Sequence, residues 1–385
     1  MNRVQDHAAP AETCADLVTL DEIRAAAERL RGVTVRTPLL PFGRPLPGDP
    51  LGRPGAWLKP ESLQPIGAFK LRGAYNAIAQ LPGELRAAGV VTHSSGNHAQ
   101  GVARAARLLG VRAVIVMPAD APRTKRERVA ADSAEIVVVG TSSEERASRA
   151  LELAQRDGLT LVPPYDDRTI VCGQATVGLE IVEQLVEMDT AAARFGRGRA
   201  VGAGHAAAGF GTDHAATGPG ARHVAAPLVV LVPIGGGGLA AGVSTAVKSL
   251  CPDATVLGVE PSLAADARDS LREGRIVRWE PEEVGRTSAD GMRTASVGRI
   301  PFAHLRRFLD GVIAVEEVEI ARAMVRAAHE SRLVLEPSGA TALAALLFHL
   351  EELPQDARIV AVLSGGNIDP ERYEALIATG TAAGG

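Results

Sequence analysis

Six short runs of consecutive apolar residues recur along the chain, separated by stretches with helical periodicity. The runs are 89–92, 113–117, 135–139, 228–232, 255–259 and 358–363. Because they do not alternate apolar with polar residues, each predicts a strand buried on both faces of its sheet. The intervening segments are long enough for helical crossovers between parallel strands. The sequence therefore predicts an α/β fold with mainly parallel sheets, preceded by a helix that Thr19 and Glu22 cap.

The composition excludes several classes of protein. Of 385 residues, 46% are apolar and 22% charged, which is typical of a well-cored globular protein. The net charge of −4 gives no general attraction to nucleic acid. No stretch reaches the roughly 18 apolar residues of a membrane span, and no signal peptide is visible. The cysteines Cys14, Cys172 and Cys251 form no metal-binding spacing. We therefore expect a cytoplasmic protein that binds neither nucleic acid nor membrane.

One stretch, at about 189–226, departs from the α/β pattern. It is rich in alanine and glycine and has no apolar periodicity. His205, His214 and His223 stand nine residues apart there, which fits neither helical nor hairpin ligand spacing. We interpret the stretch as a flexible surface insertion, with a metal site as the less favoured alternative.

Lys70 is the candidate nucleophile. It lies between Phe69 and the small residues that begin a helix, shortly after Pro65 and Gly67. A lysine that forms a Schiff base needs a desolvated position, because its amine must lose a proton. The ring of Phe69 could pack on a flat cofactor.

A second candidate segment precedes a helix that is expected to begin at Val102. Ser94, Ser95, Gly96 and Asn97 would present hydroxyl, amide and free N–H groups to an anion at that helix N-terminus. The same side chains could instead be ordinary helix caps. Their spacing alone leaves both interpretations open.

Four consecutive glycines follow another buried run and open a helix: Gly235, Gly236, Gly237 and Gly238. A bare backbone at a helix N-terminus can wrap a phosphate. The segment also fits G-x-G-x-x-A, and Glu260 closes the next strand, which imitates a nicotinamide-dinucleotide fingerprint. An NAD-dependent dehydrogenase is therefore the competing interpretation, although it explains neither Lys70 nor the serine-rich segment.

The segment Ser364-Gly365-Gly366-Asn367 ends the last apolar run, where strand ends of an α/β sheet converge on ligands. With the preceding segments, and in this order, it resembles the fold-type II pyridoxal-phosphate (PLP) enzymes. More specifically, the resemblance is to the branch of threonine and serine dehydratases and serine racemases. The likeness begins at Arg36-Thr37-Pro38-Leu39 and spans nearly the whole chain. It implies two open, twisted, mostly parallel-sheet lobes with PLP in the cleft between them.

The resemblance implies a role for each motif residue. Lys70 would form the Schiff base, and Phe69 would pack beside the pyridine ring. Asn97 would hydrogen-bond the 3-oxygen of PLP, the four glycines would hold its phosphate, and Ser364 would face the ring nitrogen. A hydroxyl there, unlike a carboxylate, makes the ring a weaker electron sink and favours β-elimination. The substrate-binding residues would be Ser94, Ser95, Gly96 and Asn97, with Ser95 returning a proton to Cα opposite Lys70.

The same resemblance implies the domain organisation. Residues 88–160 would form a small mobile domain, and 1–87 with 161–385 the large domain that binds PLP. The chain ends about twenty residues after Asn367, so a C-terminal regulatory domain is not expected. A homodimer is expected from the resemblance alone.

The segment from Glu260 to Asp266 also resembles the divalent-cation site of the racemases. The two carboxylates and the Ala264 carbonyl would be hard oxygen ligands for Mg²⁺ or Ca²⁺. The alternative is that Glu260 and Asp266 are solvated caps at a helix start.

The expected reaction is elimination of water from L-threonine or L-serine, giving 2-oxobutyrate or pyruvate and ammonia. Serine racemization and threo-3-hydroxyaspartate elimination are the rivals, because Ser95 and the acidic segment are typical of those enzymes.

Overall fold

The computed structural model describes residues 17–43, 55–94, 96–121, 123–199, 227–354 and 357–383. The strands are β1 (Leu40–Phe42), β2 (Ala56–Pro60), β3 (Val90–His93), β4 (Ala113–Pro118), β5 (Glu135–Val139), β6 (Thr160–Leu161), β7 (Leu228–Pro233), β8 (Thr255–Pro261), β9 (Gly311–Val315) and β10 (Arg358–Leu363). The first seven α-helices are α1 (Leu20–Leu30), α2 (Lys70–Ala79), α3 (Gly83–Ala88), α4 (Asn97–Leu109), α5 (Arg123–Ala130), α6 (Ser143–Asp157) and α7 (Arg168–Arg199). The others are α8 (Gly238–Leu250), α9 (Asp266–Glu273), α10 (Pro281–Val284), α11 (Arg299–Phe308), α12 (Glu317–Arg326), α13 (Pro337–Phe348) and α14 (Pro370–Ala382). Among these helices, none combines the length and apolar character needed to cross a bilayer.

The strands form two sheets, and the α/β prediction is confirmed. The larger sheet has the order β1-β2-β10-β7-β8-β9, and among these strands only the β1–β2 pair is antiparallel. The smaller sheet has the order β5-β4-β3-β6 and is parallel throughout. All six apolar runs lie on strands. The sequence missed β1, β2, β6 and β9, of which β6 has only two residues.

The central strands are apolar on both sides because helices cover both faces of each sheet. In β7, Val230 and Val232 face a core that α7 and α8 complete, whereas Val229 and Leu231 face a core with α12 and α13. This arrangement explains the absence of alternation in the predicted strands. It also brings the carboxyl ends of the strands, with the loops that follow, to one edge of each sheet.

The structure corrects two helix boundaries. α7 continues to Arg199, so the start of the predicted insertion is helical; residues 200–226, with His205, His214 and His223, lie outside the described residues. α4 begins at Asn97 rather than at Val102. Gly101, which looks like a helix breaker in the sequence, allows α4 to approach α2 closely: an added Cβ would lie 3.1 Å from the carbonyl group of Lys70.

Candidate active site

Lys70 occupies the desolvated position that its sequence neighbours predict. It is the first residue of α2, and its Nζ donates to the Pro164 carbonyl at 2.8 Å. Burial lowers the pKa of Lys70 to about 8, although the nearby carboxyl group of Glu336 opposes the shift. The ammonium lies 5.1 Å from the centroid of the Phe69 ring. An amine with this lowered pKa is partly unprotonated near neutral pH, as a nucleophilic lysine requires.

The start of α2 is attached to the loop after β10, which carries Ser364. The Phe69 N–H donates to the Ser364 carbonyl at 3.1 Å, and Ala68 pairs with Gly365 in an isolated antiparallel bridge. The Ser364 hydroxyl is buried and donates to the Ser338 carbonyl at 3.2 Å. Two segments that are nearly 300 residues apart in sequence are therefore adjacent in the fold.

The glycine loop joins β7 to α8, and Gly237 precedes the first residue of α8. The ring of Tyr165 lies against Gly236 so closely that an added Cβ would overlap it. Because the neighbouring Pro164 carbonyl accepts the Lys70 ammonium, one short segment connects the candidate nucleophile to the glycine loop. The sequence did not single out Pro164 or Tyr165, since a loop carbonyl and one aromatic residue carry no motif.

Asn97 is the first residue of α4 and makes two side-chain hydrogen bonds. Its Nδ2 donates to Oε1 of Glu336 at 2.6 Å, and its Oδ1 accepts from Nδ2 of Asn367 at 2.8 Å. An added Cβ on Gly365 would lie 3.3 Å from Asn97 Nδ2. Asn97 is therefore beside the Ser364 loop and in contact with Glu336, whose carboxyl group also acts on Lys70.

The serine-rich segment is not an ordinary cap in the residues that the structure describes. The N-cap of α4 is Gly96, and it makes no side-chain capping bond. The half-buried hydroxyl of Ser94 accepts from the Gly96 N–H at 3.2 Å, which leaves the later N–H groups of α4 to other partners. Ser95 lies outside the described residues, so its predicted proton transfer stays a prediction.

Glu336 is the site residue that sequence reasoning missed. It is 5% exposed, and burial together with Asp290 raises the pKa of its carboxyl group to about 8. Its backbone N–H donates to the Gly365 carbonyl at 3.2 Å. In the sequence it precedes Pro337 at the start of an apolar helix, where an acidic residue looks like an N-cap. Only the tertiary contact with Asn97 distinguishes it.

His98 was left out of the catalytic set on the sequence, and its surroundings are those of a neutral ring. Burial and the nearby Lys70 ammonium lower the pKa of His98 to about 3. Its Nε2 lies 3.0 Å from the Val162 carbonyl, to which a neutral imidazole N–H donates. Its catalytic use therefore gains no support here.

The predicted metal segment holds two buried carboxyl groups. Glu260 is fully buried, and its oxygens accept from the N–H groups of Ala267 and Arg268 at 3.0 and 2.9 Å. Asp266 is 1% exposed, and neither of its carboxylate oxygens has a partner at hydrogen-bond geometry among the described residues. Burial, with the neighbouring Asp266, holds the pKa of Glu260 well above its usual range. Burial raises the pKa of Asp266 to about 7, although backbone N–H groups near its carboxylate oppose the shift. The two groups are therefore not solvated caps, although Glu260 does cap the start of α9.

The Ala264 residue of that segment is also buried, at the end of a 3-10 turn over Ser262–Ala264. An orphaned buried carboxylate in Asp266 is what a hard cation would satisfy. The donor set of Glu260, Asp266 and a backbone carbonyl therefore fits a divalent cation.

The remaining residues fit PLP by their chemistry. Lys70 supplies an amine of lowered pKa, and Gly235, Gly236, Gly237 and Gly238 supply a bare backbone at the N-terminus of α8 for a phosphate. Asn97 supplies an amide, and Ser364 a hydroxyl.

Comparison with known proteins identifies relatives over nearly the whole chain. The chain is 35% identical to the L-threonine ammonia-lyase of Thermotoga maritima over 369 residues, which is 96% of this chain and 80% of that protein. It is 34% identical to the L-threo-3-hydroxyaspartate ammonia-lyase of Saccharomyces cerevisiae over 359 residues, or 93% of this chain and 96% of that one.

Solved structures share the fold. A threonine deaminase from the organism abbreviated T.th. superposes with a TM-score of 0.75 at 40% identity, covering 91% of this chain and 99% of that chain. The serine racemase of Dictyostelium discoideum gives a TM-score of 0.75 at 32% identity with the same coverage. The predicted fold-type II architecture is therefore confirmed.

The model of the family described as "Pyridoxal-phosphate dependent enzyme" matches residues 30–226 and 203–365, which together include Lys70, Asn97, the four consecutive glycines and Ser364. From these matches, the chain belongs to the family of pyridoxal-phosphate dependent enzymes.

Proposed function

We propose that this protein is an ammonia-lyase that eliminates water from L-threonine or L-serine. The observation that carries the proposal is the convergence of Lys70, Asn97 and Ser364 around one cleft, with the glycine loop one short segment away. The 40% identity to a threonine deaminase over most of both chains supports the same reaction.

The residues of the chain would divide the work as follows. The glycine N–H groups and the α8 dipole hold the phosphate, which fixes the cofactor in the cleft. Phe69 packs beside the ring, and Asn97 donates to its 3-oxygen. When bound, PLP would supply an electron sink for the charge that develops at the substrate Cα.

Lys70 would act as the base, because an amine with a pKa of about 8 can take up the Cα proton. The bond from Cβ to its hydroxyl then breaks, and a proton converts the departing hydroxide to water. Ser364 favours this outcome, because a hydroxyl does not force the ring nitrogen to remain protonated. The unsaturated amine that is released reacts with water to give the 2-oxo acid and ammonia.

The first experiment measures the visible absorbance of the purified protein after addition of PLP. Lys70→Ala should lose both the visible band and the activity. Lys248→Ala, at the far end of α8 and paired with Asp310, is the matched control and should keep both. A wild-type protein that stays colourless and inactive with saturating PLP would contradict the proposal.

A second experiment decides the substrate. L-threonine, L-serine and threo-3-hydroxyaspartate are supplied separately, and 2-oxobutyrate, pyruvate, oxaloacetate and D-serine are measured. We expect 2-oxobutyrate or pyruvate to dominate; mainly D-serine or mainly oxaloacetate would favour the racemase or the hydroxyaspartate lyase instead. Ser95→Ala should spare L-threonine dehydration and abolish racemization.

We further propose a divalent cation, Mg²⁺ or Ca²⁺, held by Glu260, Asp266 and the Ala264 carbonyl. The buried carboxylate of Asp266, which lacks a hydrogen-bond partner among the described residues, supports this proposal. Since β8 ends at Pro261 and α9 begins at Asp266, the ion would tie the strand to the helix and act structurally.

The domain organisation also remains a proposal: 88–160 as a small mobile domain, with 1–87 and 161–385 as the large one. The smaller sheet, whose strands lie between Val90 and Leu161, supports it. A homodimer rests on the resemblance, and sedimentation equilibrium would test it. The cytoplasmic location stays a prediction.

A further inference from the structure

A line of hydrogen bonds crosses the cleft beside Lys70 and has a fixed direction. Nη1 of Arg128 on α5 donates to Oδ1 of Asn367 at 2.6 Å. Nδ2 of Asn367 donates to Oδ1 of Asn97 at 2.8 Å, and Nδ2 of Asn97 donates to Oε1 of Glu336 at 2.6 Å. The line alternates between α4 and α5, which pack with the smaller sheet, and loops that follow strands of the larger sheet or precede α13.

The direction of this line depends on Asn367. An amide group can turn over with almost no change in shape, and the turn exchanges its donor and its acceptor. Two partners of Asn367 forbid the exchange. The guanidinium of Arg128 can only donate, and the Ile66 carbonyl, 2.7 Å from Nδ2 of Asn367, can only accept. Asn367 must therefore present its oxygen to Arg128 and its NH₂ group to Asn97.

Glu336 cannot give Asn97 its direction in the same way. Since burial raises the pKa of Glu336 to about 8, its carboxyl group is largely protonated near neutral pH and can donate as well as accept. An Asn97 amide of either orientation would then find a partner in Glu336. The donor on Asn367 removes this ambiguity, because it requires the oxygen of Asn97 to face it.

We propose that Asn367, held by Arg128 and the Ile66 carbonyl, is a positioning residue that turns the NH₂ group of Asn97 toward the 3-oxygen of PLP. This inference rests on the proposed function, in which Asn97 donates to that oxygen. A reversed Asn97 would place its carbonyl oxygen against an oxygen anion, which repels it. Arg128 is an exposed side chain of α5, so the orientation of Asn97 is set in part by a residue outside the cleft.

The test compares PLP dissociation constants, obtained by titrating the visible absorbance, for the full-length wild type, Asn97→Ala and Asn367→Asp. The substituted aspartate keeps the shape of the side chain and still accepts from Arg128, but it cannot donate to Ile66 or Asn97. We expect Asn367→Asp to weaken PLP binding roughly tenfold to hundredfold, about as much as Asn97→Ala. The pH at which the visible band titrates should move in the same direction in both variants.

An Arg128 series keeps the test decisive if Asn367→Asp fails to fold, which the thermal melt of the PLP-free protein reveals. Arg128→Met should weaken PLP binding by a smaller factor, roughly twofold to tenfold, because the Ile66 carbonyl still restrains Asn367. Arg128→Lys restores a donor and should recover most of the affinity. Equal loss in both Arg128 variants would point to general destabilisation and overturn the inference.

The outcomes separate this inference from the proposed function. Wild-type affinity and band titration in Asn367→Asp, in a protein that Asn97→Ala does weaken, overturn the positioning role and leave the function intact. A wild type that binds no PLP overturns the proposed function and this inference with it.

Discussion

Two groups of buried charges in this chain are built in opposite ways. Beneath α2, the guanidinium of Arg72 donates to both Glu61 and Glu180, at 2.6 to 3.0 Å, and the Lys59 ammonium donates to Glu180 at 2.6 Å. Two cations there match two anions. At the start of α9, by contrast, two acidic groups lie together, and the carboxylate of Asp266 has no hydrogen-bond partner within the described parts of the chain.

The difference indicates what each group does. Burial of a charge costs free energy unless a partner of opposite charge and hydrogen bonds offset it. The Arg72 group contains its own compensation and acts as the support under the helix that begins with Lys70. The acidic group lacks it, so its carboxyl groups shift toward the protonated form or take a cation.

The largest expected effect comes from breaking the balanced group. Arg72→Met leaves Glu61 and Glu180 without their main partner and should lower the free energy of unfolding by about 3–5 kcal/mol. Urea unfolding followed by circular dichroism measures it. Arg31→Met, which breaks the exposed pair with Glu28, is the control and should change it by less than about 1 kcal/mol. Equal losses in the two variants would contradict the compensated-group interpretation.

The acidic group should show the opposite behaviour in a pH titration without metal. The pKa of Asp266 is about 7 in the folded protein against an ordinary 3.8, so the folded state binds more protons between these values. The free energy of unfolding should therefore fall as pH rises from about 4 to about 7, by on the order of 2–4 kcal/mol. Chemical unfolding in excess chelator measures the fall, and Asp266→Asn should flatten it. A slope that Asp266→Asn leaves unchanged would exclude this carboxyl group as its source.

A cation should compensate the acidic group as the arginine compensates the other. At neutral pH, Mg²⁺ or Ca²⁺ at about a hundred times its dissociation constant should stabilise the protein by about 2.7 kcal/mol. Glu260→Gln should remove this response, which melting in chelator and in added cation measures. Asp269→Asn, at a nearby partly exposed acid on α9, is the matched control and should respond like the wild type. No cation effect in the wild type would remove the metal from this account.

Glu336 gives the smallest effect, since it is a single acid with a neutral hydrogen-bond donor. Its pKa is about 8 in the fold and 4.5 ordinarily, so its cost grows as pH rises toward 8 and is complete above it. Glu336→Gln should stay within about 1 kcal/mol of the wild type at pH 6 and be more stable than it at pH 9. Thermal melts at the two values compare them. A variant that loses stability at pH 9 would show that the carboxylate is favourable there.

The sequence predicted much of this fold because its information is local. Continuous apolar runs identify strands buried on both faces, and Thr19 with Glu22 forms the capping box that was expected. The strands that were missed lack this signal: β2 contains the buried Lys59, whose charge is compensated by Glu180 on the distant α7. The start of α4 was misplaced because Gly101 serves a contact with Lys70 that no local pattern reveals.

The sequence by itself determined which residues carry chemistry: Lys70, the glycine loop, Asn97 and Ser364 all belong to recognisable segments. The tertiary structure alone decided their surroundings. Glu336 and Asn367 reach Asn97 across 239 and 270 residues of chain, and neither contact leaves a periodic or spaced pattern. The physical reason is that pKa values and amide orientations depend on desolvation and on through-space partners. Those are set when the two sheets and their helices pack together.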